Sequence, residues 1–306
     1  MQLAIIGTTA SGKSDLAHEL ALFYKKDESL ILSLDSLCVY KGLDIVTAKP
    51  SLAMQEELMY FGIDLIEVNA HFDVALFSAE YDRANAALNT GFKKLFITGG
   101  SSFYLYSLLS GLWPRVEKSL FYPEADFMRN ELELVMKNPP HLRDALRLKK
   151  YWDIKEHMKA LNIDLSMDEY LKLNTEDAKI ASLLVFDLIW DKELLNKRIK
   201  KRSELMIKEG AIEEVELLYK SYGLVSALSC IGAKQCLDYI KGHIKSKEEL
   251  IDLINIKTAQ LAKRQRTFNK KISKLENVSY HALKIEQESD INHHKTYIKN
   301  YINNSC

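Results

Sequence analysis

The chain has 306 residues, of which 47% are hydrophobic and 27% charged, so it can form one large globular domain with an insertion, or two domains. Its 42 basic residues balance 42 acidic ones, which excludes a global positive field, so any contact with a nucleic acid must come from a local basic patch. The four cysteines form no C-x-x-C pair and have no histidine nearby at metal-ligand spacing, which argues against structural zinc and a disulfide framework.

The first predicted element is an apolar strand at residues 3–6, and a glycine-containing segment follows it directly. This segment reads G-x-x-x-x-G-K-S and consists of Gly7, Thr8, Thr9, Ala10, Ser11, Gly12, Lys13 and Ser14. In such a pattern backbone N–H groups surround an anion, the lysine adds a positive charge and the serine offers a hydroxyl to Mg²⁺. A predicted helix comes next, and its N-terminus also favours an anion. We therefore predict a phosphate-binding loop in which Ser14 is the Mg²⁺ ligand.

Further apolar runs along the chain predict more strands, and several of the stretches between them have helical periodicity. The predicted strands are residues 3–6, 30–34, 63–68, 95–98 and 183–190. Alternating strands and helices indicate an α/β fold with a parallel sheet and flanking helices. Together with the phosphate-binding loop after the first strand, this pattern predicts a sheet like that of the P-loop NTPases.

Strand signals vanish between the first four predicted strands and the last one, where helix-forming residues are punctuated by prolines. We predict that this stretch, residues 119–181, is a helical insertion domain. Residues 1–118 and 182–290 would then form a discontinuous catalytic core. The polar residues 291–306 predict a weakly ordered C-terminal tail.

A carboxylate, Asp35, follows the second predicted strand, and Ser36 comes directly after it. Ligands of α/β sheets bind at the carboxyl ends of the strands, so this position is close to the predicted phosphate site. Asp35 could hold Mg²⁺ through Ser14 and a water, or act as a general base on an incoming nucleophile. Because Asp-Ser is also good capping chemistry, a structural role stays open.

Two further segments are predicted to lie near this edge. Residues 47–50, Thr-Ala-Lys-Pro, place a hydroxyl and a lysine before a proline that enforces an extended turn, which is typical of a substrate-facing loop. Residues 99–101, Gly-Gly-Ser, follow the fourth predicted strand. Their glycines permit a close backbone approach, and the serine can open a helix and donate to an anion.

Several distinct sequence blocks are spread over almost the whole chain. In the first half they are residues 7–14, Asp35-Ser36, residues 40–50 and Gly99-Gly100-Ser101. In the second half they are Asp144-x-x-Arg147-Leu148-x-Lys150, Arg198-x-x-x-Arg202, Glu213-Glu214-Val215, Ile231-Gly232-x-Lys234-Gln235 and Lys263-Arg264-Gln265. In their order and content these blocks resemble the tRNA dimethylallyltransferases. The order of several blocks is far more specific than the phosphate-binding loop alone.

The resemblance implies transfer of a dimethylallyl group from dimethylallyl diphosphate to the exocyclic N6 amine of the adenosine 3′ of the anticodon in tRNA. The phosphate-binding loop would then hold the diphosphate leaving group, with Mg²⁺ as the cofactor. The resemblance further implies that Asp35 accepts the proton of the N6 amine or orients it. The catalytic residues implied in this way are Asp35, Ser101 and Arg202.

The same resemblance implies that the insertion and a basic stretch near the C-terminus contact the tRNA anticodon stem-loop. The tRNA-binding residues implied are Asp35, Ser36, Leu37, Cys38, Ser101, Arg129, Arg147, Lys150, Lys234, Gln235, Lys263, Arg264, Gln265 and Lys270. Without the resemblance, the basic runs at residues 143–150 and 263–271 would be interpreted as solvated surface. With it, we expect contacts to phosphates.

Other functions stay open at this stage. A small-molecule kinase would use the same loop for ATP and Asp35 as the base on an acceptor hydroxyl. An adenylate isopentenyltransferase would share the diphosphate site but prenylate a free nucleotide, and a nucleotide-gated RNA-binding protein would catalyse no reaction. The insertion and the basic run at residues 263–271 favour tRNA as the acceptor. Since neither a secretory signal nor a long apolar run or heptad pattern is evident, we expect a cytoplasmic monomer.

Overall fold

The computed structural model describes residues 1–24 and 28–304. The chain forms two compact units. One comprises Met1–Leu109 together with the chain from Ile180 onward, and the other is Ser110–Lys179. The second unit thus begins earlier than the insertion expected at residues 119–181. Within the described residues, no helix is both long and apolar enough to cross a membrane.

The first unit is built on a six-stranded sheet in which every strand pair is parallel. Its strands are β1 (Gln2–Gly7), β2 (Ser29–Ser33), β3 (Met59–Phe61), β4 (Lys94–Thr98), β5 (Leu183–Trp190) and β6 (Val278–Ile285), in the spatial order β3-β2-β4-β1-β5-β6. The parallel α/β sheet predicted from the sequence is confirmed. Because β1 lies between β4 and β5, the loop that follows it emerges near the centre of the sheet edge.

Helices cover both faces of this sheet. The helices of the first unit are α1 (Lys13–Phe23), α2 (Leu52–Glu57), α3 (Val74–Ala87), α4 (Ser102–Ser110), α8 (Lys192–Lys208), α9 (Ala211–Tyr222), α10 (Ala233–Ile240), α11 (Lys247–Ile272) and α12 (Asp290–Asn304), while α5 (Ala125–Glu133), α6 (Ala145–Ala160) and α7 (Met167–Asn174) lie in the second unit. Alternate residues of β1 point to opposite faces: Leu3 and Ile5 pack in the core beside α1, and Ala4 and Ile6 in the core beside α3 and α4. Burial on both faces explains the nearly continuous apolar runs of the central strands.

A strand predicted at residues 63–68 is absent from the structure, and β3 lies just before it. Gly62 and Asp64 both have positive φ angles, which bend the chain out of the sheet after β3. Ile66 retains one isolated bridge to Tyr40, and Val68 is buried in a core of helices and loops. The apolar run therefore reflects burial and not strand pairing.

The prediction of a weakly ordered tail at residues 291–306 was wrong for residues 291–304, and residue 304 is the last that the structure describes. Helix α12 covers most of this segment, and its Ile298 and Ile302 side chains are fully buried against the sheet. Strand β6, which the sequence also concealed, is an edge strand whose polar residues alternate with buried Leu283 and Ile285. In both elements one narrow apolar face is hidden within a polar composition.

The second unit contains α5 (Ala125–Glu133), α6 (Ala145–Ala160) and α7 (Met167–Asn174) around a core of its own. The buried side chains of Leu132, Leu148 and Trp152 lie in this core. Asp144 caps the N-terminus of α6, where its side chain accepts a hydrogen bond from a first-turn N–H group, and a capping box of Ser166 and Glu169 precedes α7.

Candidate active site

The predicted phosphate-binding loop joins β1 to α1 at the carboxyl edge of the sheet. Two of its positions require glycine. A Cβ atom on Gly7 would lie 2.7 Å from Ser11 Oγ, and Gly12, which precedes α1, has a left-handed φ of 78°. The N–H groups of the first turn of a helix have few intrahelical acceptors, so the start of α1 offers donors to an anion.

Two side chains from distant segments brace the outside of this loop. Trp190 Nε1 at the end of β5 donates to the carbonyl of Ser11 at 2.9 Å, and Arg198 Nε of α8 donates to the carbonyl of Ala10 at 2.9 Å. The Arg198 guanidinium lies over the Trp190 ring, 4.5 Å from its centroid. Both loop carbonyls are thus engaged by the protein, which fixes the loop conformation before a ligand binds.

Lys13 is the first residue of α1, and only 8% of it is exposed. Burial lowers the pKa of its ammonium group to about 8, and the positive charge of Arg202 acts in the same direction, while Asp35 opposes both. Nζ donates to the carbonyl of Thr8 at 3.4 Å. An anion bound here would supply a negative charge that stabilises the buried ammonium group of Lys13.

A cavity of about 310 Å³ lies beside the loop and joins the predicted site residues. Its polar lining includes Thr9, Lys13, Ser14, Asp35, Thr47, Arg202 and Gln265. Apolar side chains, among them Ile31, Ile199 and Leu261, form much of the remaining wall. A second depression of about 590 Å³ shares Lys13, Ser14 and Arg202 with this cavity. The phosphate-binding loop and Asp35, which we predicted to lie near the same edge of the sheet, thus both line this cavity.

Asp35 follows β2 and is half-buried. Its Oδ1 accepts a hydrogen bond from the Leu37 N–H at 2.9 Å, which forms the capping turn that the sequence left open. Because Asp35 also lines the cavity, the turn fixes the carboxylate in place without removing it from the site. The structural and chemical interpretations of this residue are therefore compatible.

Ser101 holds the loop after β4 against the loop after β2. Its N–H donates to the carbonyl of Leu34 at 2.9 Å, and its hydroxyl accepts from the Ser36 N–H at 3.1 Å and donates to the Ser36 hydroxyl at 3.3 Å. Gly99 and Gly100, which precede it, line the cavity. These bonds give Ser36 and Ser101 a role in shaping the loop that carries Asp35.

Arg202 on α8 reaches across the cavity mouth to two loops. Its Nη1 donates to the Thr9 hydroxyl at 3.2 Å, and its Nη2 to the carbonyl of Thr47 at 3.5 Å. Burial lowers the pKa of this guanidinium, but the Asp35 carboxylate opposes that shift, and an arginine remains charged under all ordinary conditions. The cavity therefore holds a permanent positive charge close to Lys13 and Asp35.

The loop at residues 44–49 is held by pairings that the sequence did not reveal. The Glu214 carboxylate accepts hydrogen bonds from the N–H groups of Asp44, Ile45 and Val46 at 2.8, 2.7 and 3.1 Å. Glu214 belongs to a block quoted above, but its contacts lie about 170 residues away along the chain. Sequence spacing alone gave no signal for this role.

In the loop that we predicted to face the substrate, the Lys49 side chain is paired within the protein. Its side chain is 3% exposed and forms ion pairs with Asp44 and Asp64. Burial would lower the pKa of Lys49, but these two carboxylates outweigh it, so the pKa is raised. The nearby Thr47 lines the cavity while its hydroxyl donates to the carbonyl of Leu43 at 2.7 Å.

Two glutamines predicted to contact tRNA are buried, and each forms hydrogen bonds within the protein. Gln235 Oε1 accepts from the Gly232 N–H at 2.8 Å and so caps α10. Gln265 is 8% exposed, and its amide bonds to two backbone groups at the cavity. Cys38 is also buried in the cavity wall, where burial first and then Asp35 raise the pKa of its thiol, and Leu37 lines the same cavity.

The predicted basic contacts of the first unit lie on the surface. Lys234 is exposed on α10, and Lys263, Arg264 and Lys270 are exposed on α11. Their contact with RNA remains a prediction.

In the second unit, the three predicted basic residues have different surroundings. Arg147 is exposed on α6, where its Nε lies 3.7 Å from Asp144 Oδ2. Arg129 forms an ion pair with Glu133 at 2.6 Å on α5. Lys150 donates to the carbonyl of Pro114 at 3.2 Å, and burial lowers its pKa. Arg147 is thus the most available of the three for a phosphate.

Comparisons with known proteins place this site in a family. A family model described as IPP transferase matches residues 38–272. A tRNA dimethylallyltransferase of Campylobacter lari is 43% identical over 285 residues, which cover 91% of this chain and 93% of the relative. A crystal structure of a tRNA isopentenylpyrophosphate transferase from Staphylococcus epidermidis superimposes with a TM-score of 0.67 at 26% identity and covers 100% of this chain and 99% of that one.

A eukaryotic dimethylallyltransferase acting on tRNA has the same fold, with a TM-score of 0.72 at 20% identity over 99% of this chain and 80% of its own. The resemblance found in the sequence blocks is confirmed by these matches, which favour a prenyl transferase over a kinase. With its phosphate-binding loop, Asp35 and Arg202 gathered in one cavity, the chain belongs to the IPP transferase family, whose curated relatives are named tRNA dimethylallyltransferases.

Proposed function

We propose that this protein transfers the dimethylallyl group of dimethylallyl diphosphate to the N6 amine of the adenosine 3′ of the anticodon in tRNA. The observation that carries the proposal is that one cavity is lined by Asp35, Arg202 and the phosphate-binding loop, residues 7–14, which we call the diphosphate loop from here on. In the reaction the bond between C1 of the prenyl group and the diphosphate oxygen breaks and a bond from N6 to C1 forms. Diphosphate and one proton are released.

In this reaction the diphosphate loop binds the group that leaves, whereas in a kinase it would bind phosphates of which one is transferred. Negative charge develops on the diphosphate as the allylic C–O bond breaks, and preorganised donors stabilise it. The start of α1, Lys13 and Arg202 supply such donors and two positive charges in a largely buried site. These groups stabilise the transition state more than the ground state, because negative charge on the leaving diphosphate has grown by then.

Asp35 is placed to act on the acceptor. A base attached to tRNA must leave its stack to enter a cavity of this kind, and its N6 amine then needs a partner that fixes its direction of attack. We assign this orientation, and removal of the proton as the new bond forms, to the Asp35 carboxylate. Its bond from Leu37 N–H keeps the carboxylate fixed before the adenosine arrives.

The oxygen groups at the loop fit a magnesium ion. Ser14 supplies a hydroxyl at the start of α1, and Asp35 lines the same cavity. Mg²⁺ commonly takes one or two protein ligands together with substrate phosphates, and Ser14 and Asp35 would be the protein groups that hold it here. When bound, Mg²⁺ would neutralise charge on the departing diphosphate.

For the tRNA, we assign phosphate contacts to exposed basic side chains of each unit separately. Arg147 presents its charge on α6, and Lys263, Arg264 and Lys270 on α11. Such contacts position the RNA without reading its sequence. We further propose that the protein acts as a monomer in the cytoplasm, where its tRNA substrate is found.

The test is a transfer assay with purified protein, Mg²⁺, labelled dimethylallyl diphosphate and undermodified tRNA. We expect label in the RNA, and none in a control tRNA in which guanosine, which lacks an N6 amine, replaces the target adenosine. Label on free adenine nucleotide alone would instead identify an adenylate isopentenyltransferase. Consumption of ATP with an acceptor, and no prenyl transfer, would restore the kinase alternative.

A further inference from the structure

Gln265 forms two hydrogen bonds that connect opposite walls of the cavity. Its Oε1 accepts from the Thr9 N–H at 2.7 Å, and its Nε2 donates to the carbonyl of Gly100 at 2.9 Å. Thr9 belongs to the diphosphate loop and Gly100 to the loop after β4. One amide on α11 thus bridges two loops that are far apart in sequence.

Each end of this bridge leads to a group of the proposed reaction. On one side, the hydroxyl of Thr9 accepts a hydrogen bond from Arg202 at 3.2 Å. On the other side, Gly100 precedes Ser101, which bonds to both the N–H and the hydroxyl of Ser36, next to Asp35. The Gln265 side chain therefore helps to set the distance between the diphosphate loop and the loop that carries Asp35.

The fit around the bridge is close. A Cβ atom on Gly100 would lie 2.7 Å from Gln265 Nε2 and 3.8 Å from Asp35 Oδ2. Any larger residue at position 100 would push the amide away from its partners. The glycine, whose backbone freedom the sequence suggested, is required here by the approach of Gln265.

Neighbouring contacts hold α11 against the same loop. Asn269 lies one helical turn beyond Gln265 on the same face of α11. Its Oδ1 accepts from the Ser102 hydroxyl at 2.6 Å, and its Nδ2 donates to Asp187 Oδ1 of β5 at 3.1 Å. Asn269 is only 1% exposed, so this anchor is buried and fixes the position from which Gln265 projects.

We infer that Gln265 is a positioning residue and not a tRNA contact. It holds the diphosphate loop and the loop that carries Asp35 at the relative position that transfer requires. This inference rests on the proposed function. Because the Thr9 N–H is already bonded within the protein, the diphosphate is bound by the other donors of the site. Gln265 acts on the rate of transfer through Thr9 and Gly100.

Two substitutions separate the bonds. In Gln265→Glu the side chain can still accept from Thr9, but an ionised carboxylate cannot donate to Gly100 and is repelled by its carbonyl. In Gln265→Met a side chain of similar length makes neither bond. We expect kcat to fall by about tenfold for Gln265→Glu and further for Gln265→Met, on the scale of one and two lost hydrogen bonds. The Kd for tRNA is expected to stay unchanged.

A pH profile distinguishes positioning from a general loss of structure. A protonated glutamic acid can donate to Gly100, and burial beside a carbonyl raises the pKa of such a carboxyl. The ratio of the kcat of Gln265→Glu to that of the wild type should therefore rise as pH falls, whereas the ratio for Gln265→Met should not. Gln260→Met, the same change at an exposed glutamine earlier on α11, is the matched control and should leave all parameters unchanged.

The inference is overturned if both variants keep the wild-type kcat, or if their main effect is a raised Kd for tRNA, as a direct RNA contact requires. The inference is also contradicted if the ratio of the kcat of Gln265→Glu to that of the wild type does not change with pH. This result, with lower stability of the variants in thermal unfolding, would give Gln265 only a structural role. Failure of the proposed function would appear separately, as absence of prenyl transfer by the wild-type protein.

Discussion

The carboxylate of Glu214 accepts a hydrogen bond from the N–H of Ile45 at 2.7 Å, and two adjacent N–H groups complete the same contact. Through it, α9 fixes the loop whose Thr47 carbonyl accepts from Arg202. A carboxylate bonded in this way organises three backbone donors that would otherwise need water or a ligand. The cavity thus depends on a residue that is not part of its lining.

Glu214→Gln should destabilise the protein, because the amide keeps only one acceptor oxygen and no charge. We expect the free energy of unfolding to fall by about 1–3 kcal/mol, the cost of weakening charge-assisted hydrogen bonds. Urea unfolding measures it. Glu213→Gln, at the exposed neighbouring position on α9, is the control and should have little effect. Equal stabilities of the two variants would show that Glu214 does not hold the loop.

Asp35→Asn should impair chemistry and leave the local turn intact, since an amide oxygen can still accept from Leu37 N–H. We expect kcat to fall by about 10²–10⁴-fold, the range for loss of a general base. The Kd for tRNA, measured without the prenyl donor, should remain near that of the wild type. An equal loss of kcat and tRNA affinity would instead make Asp35 a structural cap.

The pH dependence of donor binding should report Lys13. Its pKa is lowered to about 8 by burial and by Arg202, so Lys13 loses its positive charge as pH rises through that value in the free protein. The charged form attracts diphosphate, and kcat/KM for the donor at saturating tRNA should therefore decline above about pH 8. In Lys13→Met, kcat/KM should be low and this decline absent. A wild-type profile that rises through the same range would contradict the assignment.

Arg147→Ala should weaken tRNA binding by removing one phosphate contact. The slope of log Kd against log salt is expected to decrease by about 1 unit, while Arg147→Lys, which keeps the charge, should preserve most of it. Filter binding at several salt concentrations measures both. If Arg147→Ala has the wild-type affinity and slope, this face of α6 does not contact the RNA.

The diphosphate loop and Asp35 could be predicted because each is local in sequence: a glycine and lysine pattern after one strand, and a carboxylate after another. Gln265 and Glu214 could be recognised as parts of blocks, but their roles depend on partners 256 and about 170 residues away. The ion pairs of Lys49 could not be predicted, because its carboxylate partners, Asp44 and Asp64, come close to it only when the chain folds. Strand β6 and helix α12 were hidden because each buries only one narrow face.

The measurement that tests the central claim most directly is the identity and stoichiometry of the products. Undermodified tRNA is incubated with the protein, Mg²⁺ and dimethylallyl diphosphate, then digested to nucleosides and analysed by mass spectrometry, while released diphosphate is quantified in parallel. We expect N6-dimethylallyladenosine from the position 3′ of the anticodon, with one diphosphate released for each modified residue. Diphosphate release without a modified adenosine in the tRNA would contradict the account.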